Sequence, residues 1–428
     1  MNGRKYEFLI VGSGAGGGAL ARELSRRERE VLVVERGSYE QDLGTVKDAL
    51  RFFDTSRLFK TPSKSKEGVL LWRTIMAGGS TAVSSGNATR CLEEELAGFG
   101  IMLEEEFEEA EKDMNAAPIT EDFLSEGSKR IKRAAGALGY RMEMMPKSID
   151  PKKCRKCGKC VFGCGYGAKW TSRDYLDEAG RNGAGFLYNT GISEIIIENG
   201  RVRGVRGQGP QGPIDISADT VILAAGGLGT PVILQQSGIR EAGQGLFVDL
   251  FVNTYGVTGE LSQFYEPTMA LVDREFHEKG FILSSFIEHH KLTNFIEIGL
   301  RGLTLPMHRL MGIMTKTSDE PSGRVHPDGT VSKPVTEADW KRLRNGSAIA
   351  KEILVEAGAE SKSVVISKPQ GAHPGGTAAV GRVVDKDLQA GIDNLFVCDA
   401  SVLPAAPGMP PILTIVALAK RLAKTLAP

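Results

Sequence analysis

Four unbroken apolar positions, Phe8–Val11, lead into Gly12-Ser13-Gly14, and leucines follow at 20 and 24. A short apolar run ended by glycines predicts a strand buried on both faces. The four-residue spacing of Leu20 and Leu24 predicts a helix with one packing face. Val31–Val34 predicts the next strand. After a polar stretch to about residue 68, helical patterns are expected over Glu93–Met114 and Asp122–Leu138, both with charged outer faces. Ile192–Ile197 and Val202–Val205 flank Asn199-Gly200 and predict a hairpin. Ile214–Ile216 is a short strand, and Thr220–Ala224 a buried one ending at Ala225-Gly226-Gly227. Thr230-Pro231 is read as a helix start, with proline in the first turn.

From about 241 to 367 the pattern alternates, predicting strands over Met269–Val272, Phe281–Glu288, Asn294–Leu300 and Met311–Thr315. Asp328-Gly329 reads as a hairpin turn, and Thr336-x-x-Asp339 as a capping box opening a helix to about Ala357. Asn394–Val397 is a strand ending at Cys398-Asp399, and Pro411–Leu426 a helix. These elements predict an α/β chain: a Rossmann-like, doubly wound dinucleotide-binding domain with a second, antiparallel-sheet substrate domain. The expected divisions are 1–140 (first part of the cofactor domain), 141–175 (cysteine insert), 176–240 (second part), 241–367 (substrate domain) and 368–428 (return to the cofactor).

The glycines give the first strand its chemistry. Gly12, Gly14 and Gly17 satisfy G-x-G-x-x-G, which provides a tight turn, close backbone approach to a pyrophosphate and close helix–strand packing. Glu35, about 20 residues on at a strand end, is placed to accept from a ribose hydroxyl. The competing reading is an ordinary glycine-rich turn. Ala77-Gly78-Gly79-Ser80-Thr81 has the make-up of a loop lying against a cofactor, or of a plain turn. Asp399 at its strand end is placed to meet a ribityl hydroxyl.

Composition narrows the partners. The 428 residues carry 53 basic and 53 acidic side chains, so no net field favours nucleic acid or an anionic membrane. An early first strand and the lack of a long apolar run point to a cytoplasmic protein without a membrane span. Four of the six cysteines fall within eleven residues, as CRKCGKCVFGC. Cys154, Cys157, Cys160 and Cys164 have the C-x2-C-x2-C-x3-C spacing of a 4Fe–4S ligand run. Gly165 stands where proline is usual, and five basic residues at 152–159 offset thiolate charge. Zinc, whose ligand pairs usually have a longer spacer, and purely structural cysteines are the alternatives.

The chain resembles the glucose–methanol–choline (GMC) oxidoreductases. The matching stretches are GSGAGG with Glu35, AGGST at 77–81, GGLGTPVILQQSGI at 226–239, GRVHPDGTVSKPVTEADWKRL at 323–343, HPGGTAAVG at 373–381 and NLFVCDASVLPAAPGMPPILTIVALAKRLA at 394–423. The resemblance implies bound FAD, a two-lobed fold and oxidation of an alcohol, with His373 as the catalytic base. It implies cofactor contacts at Gly12, Gly14, Gly17, Glu35, Gly78, Gly79, Ser80, Thr81, Ala225, Gly226, Asp399 and Pro411. Val83 stands where some members carry a flavin-linking histidine, which implies non-covalent FAD. Ser84 stands where an asparagine often supports the flavin, with Asn87 nearby. Pro410 replaces the second active-site residue, usually His or Asn, and leaves direction and substrate open.

These readings predict an FAD-dependent dehydrogenase rather than an oxidase. A histidine near neutral pKa takes the alcohol proton, and a cluster relays electrons to a carrier such as a ferredoxin. Two alternatives stand beside it: a reductase of a C=C or carbonyl substrate, and a non-catalytic electron-transfer subunit. A buried histidine that only ties down a turn is the plain alternative for His373. His289 and His290, on an expected strand, would point to opposite faces; His277, His308 and His326 are expected at the surface or in loops.

Overall fold

The computed structural model describes residues 4–54 and 63–428. Its first sheet begins with β1 (Lys5–Val11), whose neighbours are β2 (Val31–Val34) on one side and the long strand β6 (Gly212–Leu223) on the other, both parallel. Between them in sequence lie α1 (Ala15–Arg26), α2 (Glu104–Asp113), α3 (Glu126–Ala137), α4 (Ser172–Arg181), β3 (Gly185–Leu187), β4 (Gly191–Glu198) and β5 (Arg201–Gly209). The strand order is β3-β2-β1-β6-β5-β4, with β5 and β4 antiparallel. The apolar runs Phe8–Val11 and Val31–Val34 are buried throughout, as strands covered on both faces must be.

Helix α1 is buried from Ala15 to Ser25. Arg22 bridges it to Asp113 (2.6 Å) and Glu178 (2.8 Å), and Lys420 reaches Asp113 at 2.7 Å and Glu23 at 3.1 Å. Such buried charges persist only because each is paired. The network fixes α1 against α2, α4 and the C-terminal helix.

Past β6 come α5 (Gly226–Gln236), β7 (Leu250–Val257), β8 (Leu271–Asp273), β9 (Phe281–Ser285), α6 (Lys291–Ile298), α7 (Leu300–Thr304), β10 (Leu310–Thr317), α8 (Glu337–Glu356), β11 (Leu395–Val397) and α9 (Ile412–Leu426). Strands β7-β10-β9-β8 form the antiparallel centre of a nine-stranded second sheet, and α8 packs across it. The capping box of Thr336 and Asp339 opens α8 as expected. Strand β11 returns to the first sheet, parallel to β6.

Three local expectations are corrected. Residues 294–300, read as a strand, lie in α6 and α7. His290 caps α6, its Nδ1 accepting from the N–H of Leu292 at 3.1 Å, and that start signal outweighs the alternating apolar pattern. Helix α5 begins at Gly226, so Pro231 is inside it. The acidic stretch from Glu93 is two helices, Glu93–Gly98 and α2, separated at Gly100 (φ +79°). No helix among the described residues is long and apolar enough to cross a membrane.

Candidate active site

A cavity of about 540 Å³ runs between the two sheets. At one end lies the turn after β1. Gly12 has φ +104°, and a Cβ there would lie 2.3 Å from the carbonyl oxygen of Ala224. At Gly17 a Cβ would lie 2.0 Å from the carbonyl oxygen of Gly12. Both positions therefore require glycine. Gly14 caps α1 without a side chain, and a Cβ there would meet nothing within 4 Å because the position faces the cavity. The first-turn N–H groups of α1 and its positive dipole end are thus presented to the cavity, an arrangement that suits a pyrophosphate.

Glu35 directly follows β2 and is buried. Its Oε2 accepts from the N–H (3.0 Å) and the hydroxyl (2.6 Å) of Ser13, and Oε1 accepts from the N–H of Gly37 (2.7 Å). Burial raises its pKa despite these donors. A carboxylate oxygen has two acceptor sites, so one on Oε1 remains for a ribose hydroxyl. The N–H of Gly78 donates to Ser13 Oγ at 3.1 Å and draws the 77–81 loop onto the glycine turn. Gly79, Ser80, Thr81, Ala225, Gly226, Asp399 and Pro411 line the cavity, as do Gly12, Gly14 and Glu35. Gly17 and Gly78 do not line it: Gly17 packs against Gly12, and Gly78 against Arg173. Asp399 is largely committed: Oδ2 accepts from the N–H of Gly226 (2.8 Å) and from Thr230 Oγ1 (2.6 Å), and Oδ1 from the N–H of Ser401 (2.7 Å). An open glycine cradle, an uncapped helix end and an acid at the second strand fit a dinucleotide.

His373 stands on the opposite wall. The strand Gln370–Gly371 pairs with Leu250 and Phe251 of β7, and this register brings the histidine beside Asp249. Asp249 Oδ2 lies 2.8 Å from His373 Nδ1, and Oδ1 accepts from the N–H of Gly408 at 3.0 Å. Lys316 Nζ lies 3.4 Å from the same Nδ1. The shorter contact goes to an acceptor, so Nδ1 carries the proton and Nε2 the free lone pair. Asp249 is fully buried and held at φ +50°. The N–H groups of its neighbours Val248 and Leu250 donate to Asp319, which pairs with Lys333 at 2.9 Å, both side chains fully buried. Burial pushes Asp249 up and, with help from Lys316, holds His373 well below the ordinary histidine value. Burial likewise lowers Lys316, with Asp249 and Asp319 opposing it. The histidine is therefore neutral at pH 7, with Asp249 in place to orient it.

The four clustered cysteines line a separate small cavity of about 20 Å³ together with Gly158, Lys169 and Pro267. The N–H of Ala168 donates to Cys164 Sγ at 3.4 Å. None of the four is in a disulfide. No three His, Cys, Asp or Glu side chains among the described residues converge on one metal-ion position. The 3₁₀ turn Cys160–Phe162 also sends Val161 and Phe162 into the wall of the large cavity. Lys169, fully enclosed, donates to the carbonyls of Ala82 (2.8 Å), Ser84 (2.6 Å) and Cys160 (3.1 Å). It thus joins the 77–85 loop to the cysteine loop.

His289 and His290 do not follow the strand expectation. His289 lies between the carbonyls of Ile287 and Phe264 and abuts Gly158, while His290 is the α6 cap. Val83, Ser84, Asn87 and Pro410 all line the cavity. Sequence reading missed Asp249, Lys316, Glu288 and Arg36, which also line or border it. The available signal was charge inside apolar runs: Asp249 in LFVDLFV and Lys316 in LMGIMTKT.

The family models described as GMC oxidoreductase match residues 6–251 and 312–419. An uncharacterised protein of Methanocaldococcus jannaschii, MJ1450, is 32% identical over 97% of this chain and 98% of its own. The long-chain-alcohol oxidase FAO4B of Arabidopsis thaliana is 25% identical over 96% of this chain and 66% of its own. Among solved structures, pyridoxine 4-oxidase from Mesorbium loti superposes with a TM-score of 0.76 at 18% identity, covering 98% of this chain and 99% of its own. That likeness is one of fold.

Proposed function

The chain belongs to the GMC oxidoreductase family, and from that premise we propose that it is an FAD-dependent dehydrogenase of an alcohol CH–OH group that passes electrons through a 4Fe–4S cluster to a ferredoxin-like carrier. The observation that carries the reading is the His373–Asp249 contact of 2.8 Å in the wall of the cavity that the glycine turn opens into. FAD would be held non-covalently by Gly12, Gly14, Glu35, Gly79, Ser80, Thr81, Ala225, Gly226, Asp399 and Pro411. Bound FAD supplies the acceptor for the hydride that leaves carbon, and a cluster a one-electron relay.

The residues supply the rest. His373 Nε2 takes the hydroxyl proton, and Asp249 holds Nδ1–H and balances the imidazolium that forms. Lys316 offsets the Asp249 charge in a region where an unpaired carboxylate is costly. Phe251, Met269, Phe286 and Met314 give the substrate an apolar wall. This wall suits an alkyl chain, in keeping with the long-chain alcohols named for the Arabidopsis relative.

For the cluster, support comes from four cysteines lining one space, a backbone N–H on the Cys164 sulfur, and two buried lysines. Lys147 and Lys169 are lowered by burial to about 7 and about 8, and interaction with Cys160 opposes that. A four-iron cage is wider than a 20 Å³ gap, so this reading requires the half-exposed Cys154, Cys157 and Cys164 to move outward. Val161 and Phe162 lie between the two sites, the short separation that a relay needs. An exposed cluster is damaged by oxygen, which favours a dehydrogenase over an oxidase.

The test is anaerobic purification with iron, sulfide and flavin analysis, followed by an alcohol screen that watches flavin bleaching. About four irons per chain and bleaching by an alcohol are expected. His373→Ala should slow bleaching about 10²–10⁴-fold. Zinc in place of iron removes the relay, and no response to any alcohol removes the reaction.

A further inference from the structure

Glu288 lies in the wall of the same cavity as His373, yet the reaction above gives it no task. The residue is only 6% exposed, and its Oε2 is buried with no hydrogen-bond partner. Thr293, whose hydroxyl donates to the carbonyl of His290 at 2.7 Å, stands beside it at the start of α6. The charge that acts on it is Glu297, itself engaged by Tyr255 (2.6 Å) and Asn253 (3.1 Å), and not Asp249 or Lys316. The two polar groups therefore belong to different ends of the cavity.

The sheet register measures their separation. Met314 and Lys316 both face the cavity from β10, at the two-residue period of a strand. The N–H of Phe286 donates to the carbonyl of Gly312, four residues before Lys316. At about 3.4 Å per residue that is on the order of 14 Å along the strand, and Glu288 lies two residues beyond Phe286. Phe251, Met269, Phe286 and Met314 fill the interval with apolar surface.

We infer that Glu288 is a specificity-determining residue that binds a second hydrogen-bond donor, a hydroxyl or an ammonium, at the far end of an extended apolar substrate whose reacting alcohol sits at His373. The inference rests on the alcohol chemistry proposed for that site. Burial and Glu297 raise the carboxyl's pKa, so the group accepts a hydroxyl when neutral and gains most from a cationic end that stabilises its ionised form.

The test uses FAD-loaded protein carrying His373→Ala, in which turnover is suppressed, and reads dissociation constants from the flavin absorption spectrum. The probes are primary alcohols, α,ω-diols and ω-amino alcohols of matched chain length. Diols and amino alcohols should bind about tenfold more tightly than plain alcohols, with an optimum length in each series. Adding Glu288→Leu should erase that preference while leaving plain alcohols unchanged or tighter. Glu288→Gln should keep it for diols and lose it for amino alcohols. Equal binding of all three classes, no binding of any, or an equal loss for all three in both variants overturns the inference. Turnover by the protein with His373 intact is measured separately: preference without turnover refutes the proposed reaction and leaves the subsite standing.

Discussion

Replacing Asp249 with asparagine should disable the base without disturbing its position. Oδ1 of Asp249 accepts from the N–H of Gly408 and Oδ2 faces His373 Nδ1 at 2.8 Å. An asparagine must keep its carbonyl oxygen on Gly408, so its NH2 group turns toward Nδ1. That donor makes Nδ1 the acceptor and moves the ring proton to Nε2, the atom that must take the substrate proton. The imidazolium also loses its balancing carboxylate. Loss of general-base function is worth about 10²–10⁴ in rate, or about 3–6 kcal/mol of barrier at about 1.4 kcal/mol per tenfold. The assay is anaerobic stopped-flow bleaching of the flavin at saturating alcohol, with FAD content measured on the same sample. The fall should appear in the bleaching rate, with FAD occupancy unchanged. A D249N rate within about threefold of the parent refutes the orienting role, and a fall that tracks lost FAD refutes the tautomer argument. In the parent, burial holds His373 low, so the acid limb of the rate profile should fall below the ordinary histidine value of about 6.5.

Further outcomes follow from the packing and the buried charges. Gly12→Ala places a methyl 2.3 Å from the Ala224 carbonyl oxygen and should abolish FAD retention or soluble expression, whereas Gly14→Ala meets no protein atom and should weaken FAD binding without unfolding the chain; differential scanning fluorimetry and flavin release separate the two. Asp399→Ala strands the donors of Gly226, Thr230 and Ser401 and should cost about 2–5 kcal/mol in urea unfolding. For the iron-free protein, Lys147 and Lys169 titrate near 7 and 8 when folded and near 10.4 when unfolded. Between about pH 7 and 10 the unfolded chain binds more protons, so stability rises with pH in that window. Bound anionic cluster would keep both lysines charged and flatten the slope; an apoprotein whose Tm is independent of pH from 7 to 10 contradicts their burial.

The glycine turn was legible because its constraint is local. Gly12, Gly14 and Gly17 sit at fixed offsets from a strand that declares itself by four apolar residues, and Glu35 closes the next strand. The α6 segment was misread because FIEIG alternates as a strand does, while the signal for a helix lay upstream at His290, an uncommon cap. Asp249 and Lys316 were hidden for a different reason. Each is a single charge in an apolar run, Lys316 within β10 and Asp249 just before β7, and only the pairing of β7 with both β10 and Gln370–Gly371 brings the two together at His373. Sequence spacing holds no record of that register. The same applies to Glu288, whose unpartnered Oε2 is a property of the surrounding volume. The cysteine spacing was plain, but its nearness to the large cavity depends on Val161 and Phe162 turning inward.

Lys169 grips Ala82 and Ser84 with one side of its ammonium and Cys160 with the other. A loop pulled out of place on either side slackens the other. If the cysteines carry iron, a cell short of that element would accumulate chains that also hold their flavin poorly. Both prosthetic groups would then rise and fall together, and the yellow colour of a preparation would report how well its iron was inserted.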